Sequence, residues 1–206
     1  MKTIGIFGGT FDPPHQGHIR LAEQALKRLS LDEVQFLPCA NPVHRSQPMA
    51  SAINRLQMLE LAIAGQSGFR VNTIELDRGG PSYMVDSLRQ LRADNKNASL
   101  CLMLGVDAFN AIQSWKSPDQ ILKLANLLVC RRPGIELDES IYPAHHFSSP
   151  AILQRDQSGC ILPLDIEENP CSSTQVRALL ARKEFAGNCL APSVINYINQ
   201  HHLYET

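Results

Sequence analysis

The chain has 206 residues, enough for one well-buried domain, and its apolar fraction of 44% is that of an ordinary globular protein. A formal net charge of -1 excludes a bulk nucleic-acid or membrane-surface binder, so any anion site must be a local cluster of donors. No apolar run approaches the roughly 20 residues that cross a bilayer, and the start MKTIGIFGG is too short to read as a signal peptide, which points to a cytoplasmic protein.

In chain order, Lys2 to Phe7 reads as a first strand that Gly8-Gly9 ends. Gln16 to Leu29 carries Ile19, Leu21, Ala22, Ala25, Leu26 and Leu29 at mostly helical spacing. Val34 to Pro38 is a second strand, and Ser51 to Ala64 a second helix. Phe69 to Leu76 (FRVNTIEL) reads as extended. Ser82 to Leu91 is helical, with Ser82 after Pro81 as its cap. Ser99 to Gly105 is an apolar run of the kind buried on both faces of a parallel sheet. Two short helices, Asp107 to Ile112 and Pro118 to Leu124, lead to another buried strand, Asn126 to Gly134. Ile135 to Gly159 has no clear period and reads as irregular. Cys160 to Ile166 is a last strand, followed by helices at Ser173 to Arg182 and Pro192 to His201. Strands alternating with helices predict an α/β fold: one Rossmann-like, doubly wound parallel sheet over residues 1–206, with helices on both faces and a helical C-terminal segment. The six cysteines contain no CxxC pair and are expected as buried thiols rather than disulfides or zinc ligands.

Ligands of such sheets bind beyond the carboxyl ends of the strands, which places the stretch GGTFDPPHQGH, Gly8 to His18, at the crevice. The glycines are expected to let the backbone approach an anion and to permit torsions denied to other residues. Pro13-Pro14 stiffens the entry to the helix. His15 and His18 are spaced i, i+3 and share one face of a turn, with Gly17 between them sparing a ligand a side chain. Helix-start N–H groups and two imidazoles make a phosphate cradle. HxxH could also be half of a metal site, but further ligands at metal-site spacing are not seen. A second cluster, CSSTQVR (Cys171 to Arg177), sets hydroxyls at a helix start with Arg177 one turn on. Ser or Thr there caps a helix in any case. With the first motif, it supplies donors to a polyphosphate from the other side.

GxFDPxHxGH together with SSTxxR resembles the HxGH nucleotidyltransferases. NPVHR, GGPSYMVDSL, LGVDAFNAIQSW, VCRRPG and INYINQHHLY extend the likeness nearly end to end, to the bacterial nicotinate-nucleotide adenylyltransferase family. The resemblance implies adenylyl transfer from ATP to nicotinate mononucleotide, giving deamido-NAD and pyrophosphate, with magnesium held mainly through ATP phosphates and no protein metal ligands. It implies His15, His18 and Arg177 as the catalytic set, with His18 at the reacting phosphorus. Phe7, Gly8, Gly9, Thr10 and Phe11 would line ATP, and His44 with Arg45 would meet the triphosphate. Ser173, Thr174 and Arg177 would clasp its outer phosphates. Gly105 and Asp107 would lie near the adenosine, although Asp107 alone could equally cap the short helix after it. For the mononucleotide it implies Gly8, Asn41, Tyr83 and Met84. Trp115, which taken alone reads as core packing, would stack on the pyridine, and Arg132 would neutralise the phosphate. Two other readings fit part of the pattern: a phosphopantetheine adenylyltransferase-like enzyme, and a nucleotide-binding module without catalysis.

Overall fold

Thr3–Gly9 forms the first strand, β1. It runs two residues further than the sequence pattern suggests, through both glycines, because they pair with Leu37 and Pro38 of the next strand, β2 (Glu33–Pro38). The computed structural model describes residues 1–43, 47–131, 134–143, 149–167 and 169–205.

Between these strands lies helix α1 (Gln16–Arg28), and after them α2 (Ala52–Ile63), capped by Ser51, whose hydroxyl accepts the Asn54 N–H. The remaining sheet strands are β4 (Phe69–Val71), β6 (Ser99–Gly105), β7 (Asn126–Arg131) and β8 (Ile161–Asp165). They line up as β4-β2-β1-β6-β7-β8, with every neighbouring pair parallel. The chain therefore winds outward from β1 to β4, returns to the other side of β1, and winds outward again to β8. Its switch point is the gap between β1 and β6, whose carboxyl ends are Gly9 and Gly105.

Period-2 alternation sends side chains to both faces, and both faces are covered, which is why the strands read as continuous apolar runs. Ile4, Ile6, Leu100, Leu102, Leu127 and Val129 pack on one side, against α4 (Met84–Asp94), α5 (Val106–Asn110) and α6 (Pro118–Leu124). Val34, Phe36, Cys101, Met103, Leu128 and Cys130 pack on the other, against α1 and α2. A smaller core joins α2 to α7 (Ser173–Ala181) and α8 (Pro192–Gln200) through Met58, Val176, Leu190, Val194 and Ile198.

The expected elements form, with corrections: the strand expected over residues 126–134 ends at Arg131, the stretch expected as irregular holds 3-10 turns at Glu139–Ile141 and Pro150–Gln154, and four further points differ. FRVNTIEL is a strand only to Val71; a short helix, α3 (Ile74–Arg78), follows, because the Asn72 side chain accepts the Ile74 N–H at 3.1 Å and turns the chain. Ser82 is not a helix cap. It lies in β5 (Pro81–Ser82), paired with β3 (Asn41–Pro42), and its hydroxyl accepts the Ala40 and Asn41 N–H groups. That two-stranded sheet joins residues forty apart and has no local signature. Gly8 and Gly9 have no left-handed torsions; in this loop the positive φ, 51°, belongs to Phe11. Lastly, Cys171 and Cys189 are a disulfide, not two thiols: the turn from α7 to α8 brings their Cα atoms to 5.5 Å, a bridgeable distance that an 18-residue separation does not announce. Cys39, Cys101, Cys130 and Cys160 remain thiols.

Candidate active site

The carboxyl ends of β1 and β6 open into a cleft of about 1180 Å³, ample for a nucleotide and a second substrate. Its floor is the β1–α1 connection. His15 is the N-cap of α1 and only 8% exposed. The helical turn that follows carries His18 back over it: the His15 N–H donates to His18 Nδ1 at 3.2 Å, and the two rings stack with centroids 3.7 Å apart. Phe7 and Phe11 back the His18 ring at 5.9 and 5.0 Å, so its orientation is set by packing on one side and by a main-chain donor on the other. The i, i+3 spacing thus produces a paired imidazole surface at a helix N-terminus.

The glycines around this surface act through size. A Cβ on Gly17 would lie 2.9 Å from the Cys171 carbonyl oxygen and 2.9 Å from the His15 ring. Its role is to admit the second motif, not only to clear space for a ligand. A Cβ on Gly8 would lie 2.4 Å from the Met84 methyl, so Met84 lies directly over the end of β1.

The second motif docks on the first. Ser172 is the N-cap of α7, its hydroxyl accepting the Gln175 N–H. Ser173 Oγ donates to the Pro13 carbonyl at 3.1 Å. Arg177, one turn later, donates from Nη1 to the Asp12 carbonyl at 2.6 Å and from Nη2 to Thr174 Oγ1 at 3.5 Å. Arg177, Thr174 and Ser173 therefore share one cleft wall with His15 and His18, although more than 150 residues separate the motifs.

The opposite wall comes from β6 and α4. Gly105 caps α5, and Asp107 lies exposed in the first turn of that helix, facing the cleft. Asp107 is not the cap, which removes the alternative left open by its sequence position. Trp115, the chain's single tryptophan, is half-buried, packing on the core edge while also lining the cleft with Tyr83 and Met84. Lys116 stands 4.5 Å from the centre of the Tyr83 ring and donates to Asp86 at 2.7 Å, which holds the Asp86 carboxyl below its usual range.

Thus Phe7, Gly8, Gly9, Thr10, Phe11, His15, His18, Gly105, Asp107, Ser173, Thr174 and Arg177 all line one cleft, as do Tyr83, Met84 and Trp115. Asn41 does not: its side chain donates to the Gly80 carbonyl within the small sheet. His44, Arg45 and Arg132 lie outside the described residues.

Three residues that hold the site together are absent from the sequence-based candidates. The Asp12 carboxylate, 5% exposed, accepts the Met49 N–H at 2.8 Å, the Ala50 N–H at 3.1 Å and the Tyr204 hydroxyl at 2.7 Å. Arg55, 1% exposed, donates to the carbonyls of Thr10, Cys39, Ala40 and Ala50. Glu75, 3% exposed, lines the cleft and accepts the Ser87 hydroxyl at 2.7 Å. The legible signal for Arg55 was a cation on the buried stripe of α2, three and four residues before Met58 and Leu59.

A model of the cytidylyltransferase-like family matches residues 6–179. Among curated relatives, a probable nicotinate-nucleotide adenylyltransferase of Methylococcus capsulatus is 39% identical over 98% of this chain and 99% of its own. A protein of the same description from Chromobacterium violaceum is 40% identical, with 98% of each chain covered. Among solved structures, Plasmodium falciparum nicotinic acid mononucleotide adenylyltransferase complexed with APC superposes with a TM-score of 0.77. The match covers 99% of this chain and 98% of that one at 19% identity, which speaks for the fold. The same enzyme complexed with NaAD gives a TM-score of 0.74 at 20% identity, with the same coverage.

Proposed function

The chain belongs to the nicotinate-nucleotide adenylyltransferases of the cytidylyltransferase-like family, and from that premise we propose that it transfers the adenylyl group of ATP to nicotinate mononucleotide. The products are deamido-NAD and pyrophosphate. The observation that carries the reading is the docking of Arg177 and Ser173 onto the loop that leads to His15 and His18, which makes one donor-lined wall from two distant motifs.

The attacking group is a phosphate oxygen of the mononucleotide, already anionic at neutral pH, so no general base is called for. The oxygen forms a bond to the α-phosphorus of ATP as the bond to the bridging oxygen breaks, and pyrophosphate leaves with that electron pair. The barrier arises from bringing anions together and from charge that develops on the phosphorus oxygens and the leaving group. Fixed donors therefore supply most of the rate, as in other phosphoryl-type transfers. In this reading His18 meets the reacting phosphate and His15 steadies it from the stacked ring beneath. Arg177 and Thr174 hold the outer phosphates. Ser173, whose proton goes to Pro13, acts chiefly as the pin between the motifs. Asp107 takes ribose hydroxyls. Trp115, with Tyr83 and Met84, forms the face for the pyridine.

Magnesium belongs to the same reading. The cation would be carried by ATP phosphate oxygens and water. Its contribution when bound is to neutralise charge on those oxygens. No helix among the described residues is long and apolar enough to cross a membrane, and we place the reaction in the cytoplasm, where ATP is made available.

The test is pyrophosphate release from ATP with nicotinate mononucleotide, nicotinamide mononucleotide or phosphopantetheine offered separately. The reading expects turnover to be fastest with nicotinate mononucleotide. Preference for phosphopantetheine would replace the acceptor, and ATP binding without release for any acceptor would make the chain a binding module.

A further inference from the structure

The Asp12 carboxylate presents a problem that the reaction itself does not solve. It is a buried anion beside the loop where ATP phosphates are to bind, and an uncompensated carboxylate there would repel them. The structure compensates it with donors from two remote places. Met49 and Ala50 give main-chain N–H groups, and Tyr204, 192 residues away and 5% exposed, gives its hydroxyl at 2.7 Å. The main-chain carbonyl of the same residue is gripped by Arg177. One residue thus ties together the phosphate loop, the 47–50 segment, α7 and the end of the chain.

The backbone on both sides of this contact is strained. Tyr204 has φ 66° and His202 φ 49°, and Phe11, next to Asp12, has φ 51°. Non-glycine residues persist in the left-handed region only where surrounding contacts over-determine them. A buried tyrosine hydroxyl usually finds a partner; what sets Tyr204 apart is that its partner is a side chain of the phosphate loop 192 residues away. Here the hydroxyl is turned inward onto the carboxylate.

We propose that Tyr204 is a positioning residue for ATP: by holding the Asp12 carboxylate it fixes the loop that Arg177 grips and the 47–50 segment beside it. The proposal rests on the adenylyl-transfer reading of the cleft. Tyr204 does not line the cleft, so its effect travels through Asp12. Burial, and then the contact with Asp12, push the Tyr204 phenol far above its ordinary range, so it stays a donor at any working pH.

Tyr204→Phe keeps the ring and removes only the hydroxyl. Binding of α,β-methylene ATP is to be measured by calorimetry, alongside the KM of each substrate and hydrogen exchange at the Met49 and Ala50 amides. The expected result is an affinity for the analogue about tenfold weaker, a mononucleotide KM within about twofold of wild type, and faster exchange at both amides. The double variant Asp12→Ala/Tyr204→Phe is expected to lose no more analogue affinity than Asp12→Ala alone, since alanine removes the acceptor and both changes act on one link. Unchanged analogue affinity in Tyr204→Phe, even with a lowered unfolding temperature, would leave the tyrosine a packing residue and overturn the proposal. Additive losses in the double variant would do the same. Analogue binding does not depend on which acceptor the enzyme uses, so a wrong acceptor assignment leaves this readout intact.

Discussion

A guanidinium that spends its N–H groups on main-chain carbonyls keeps its positive charge available to whatever binds nearby. Arg55 does this beneath the cleft, and it also fixes three loop ends at once, through Thr10, Cys39 with Ala40, and Ala50. Replacing it removes the charge and leaves those acceptors dry. Arg55→Leu is expected to lower unfolding stability by about 3 kcal/mol or more, measured by urea denaturation. A loss under about 1 kcal/mol would show that water takes over the carbonyls. At this scale the sequence was informative wherever local geometry decides. The i, i+3 pair His15 and His18 shares a face because α1 starts where its pattern says it starts. It was silent where a neighbour from elsewhere decides. Beyond the clearance expected for a ligand, Gly17 also leaves room for the Cys171 carbonyl, and the Met84 methyl lies over Gly8. Asp12 sat inside the quoted motif, but nothing local says that its partners are Met49, Ala50 and Tyr204.

Elements were legible in proportion to their length. β6 and α1 follow from an apolar run and a clear amphipathic stripe. The β3–β5 pair could not be read, since two residues on each side carry no period and their pairing is set by the whole fold. The same is true of α3, where one Asn72 side chain outweighs a β-rich composition. At the far end of the sheet, Asp32 fastens the start of β1. Its carboxylate accepts the Thr3 N–H at 2.6 Å and the Thr3 hydroxyl at 2.9 Å, and these contacts, the main-chain one first, hold its carboxyl below the ordinary range. A depressed carboxylate contributes stability that is present above the unfolded-state value and is lost as pH falls through the folded-state value. Thermal unfolding followed from about pH 5 down towards 3 should therefore show a shallower decline in Asp32→Asn than in wild type. Equal slopes would mean that Asp32 titrates alike in the folded and unfolded chain.

For the whole molecule, topology does the assembling. The doubly wound sheet puts the ends of β1 and β6 side by side, and that much follows from alternating strands and helices. What topology alone does not give is the return of the C-terminal helices. α7 and α8 pack on α2, not on the sheet, and this brings Ser173 and Arg177 onto Pro13 and Asp12. The Cys171–Cys189 disulfide ties the segment that enters α7 to the segment that enters α8. Cys171 touches Gly17 through its carbonyl, and the Cys189 carbonyl accepts the Gln16 N–H at 2.8 Å, so both halves of the bridge lie against the start of α1. The two motifs are legible in the sequence, and their shared phosphate chemistry implies that they meet. The small helical core that makes them meet has no local signature, because it is assembled from three segments far apart in the chain.

Both motifs are to hold one triphosphate, and steady-state kinetics of Arg177→Ala with ATP varied tests that most directly. A guanidinium that both binds phosphate and grips Asp12 should, when removed, lower kcat/KM for ATP by about 30-fold or more while the mononucleotide KM changes little. A kcat/KM for ATP within about twofold of wild type would contradict it, since no principal donor to a polyphosphate can be lost so cheaply.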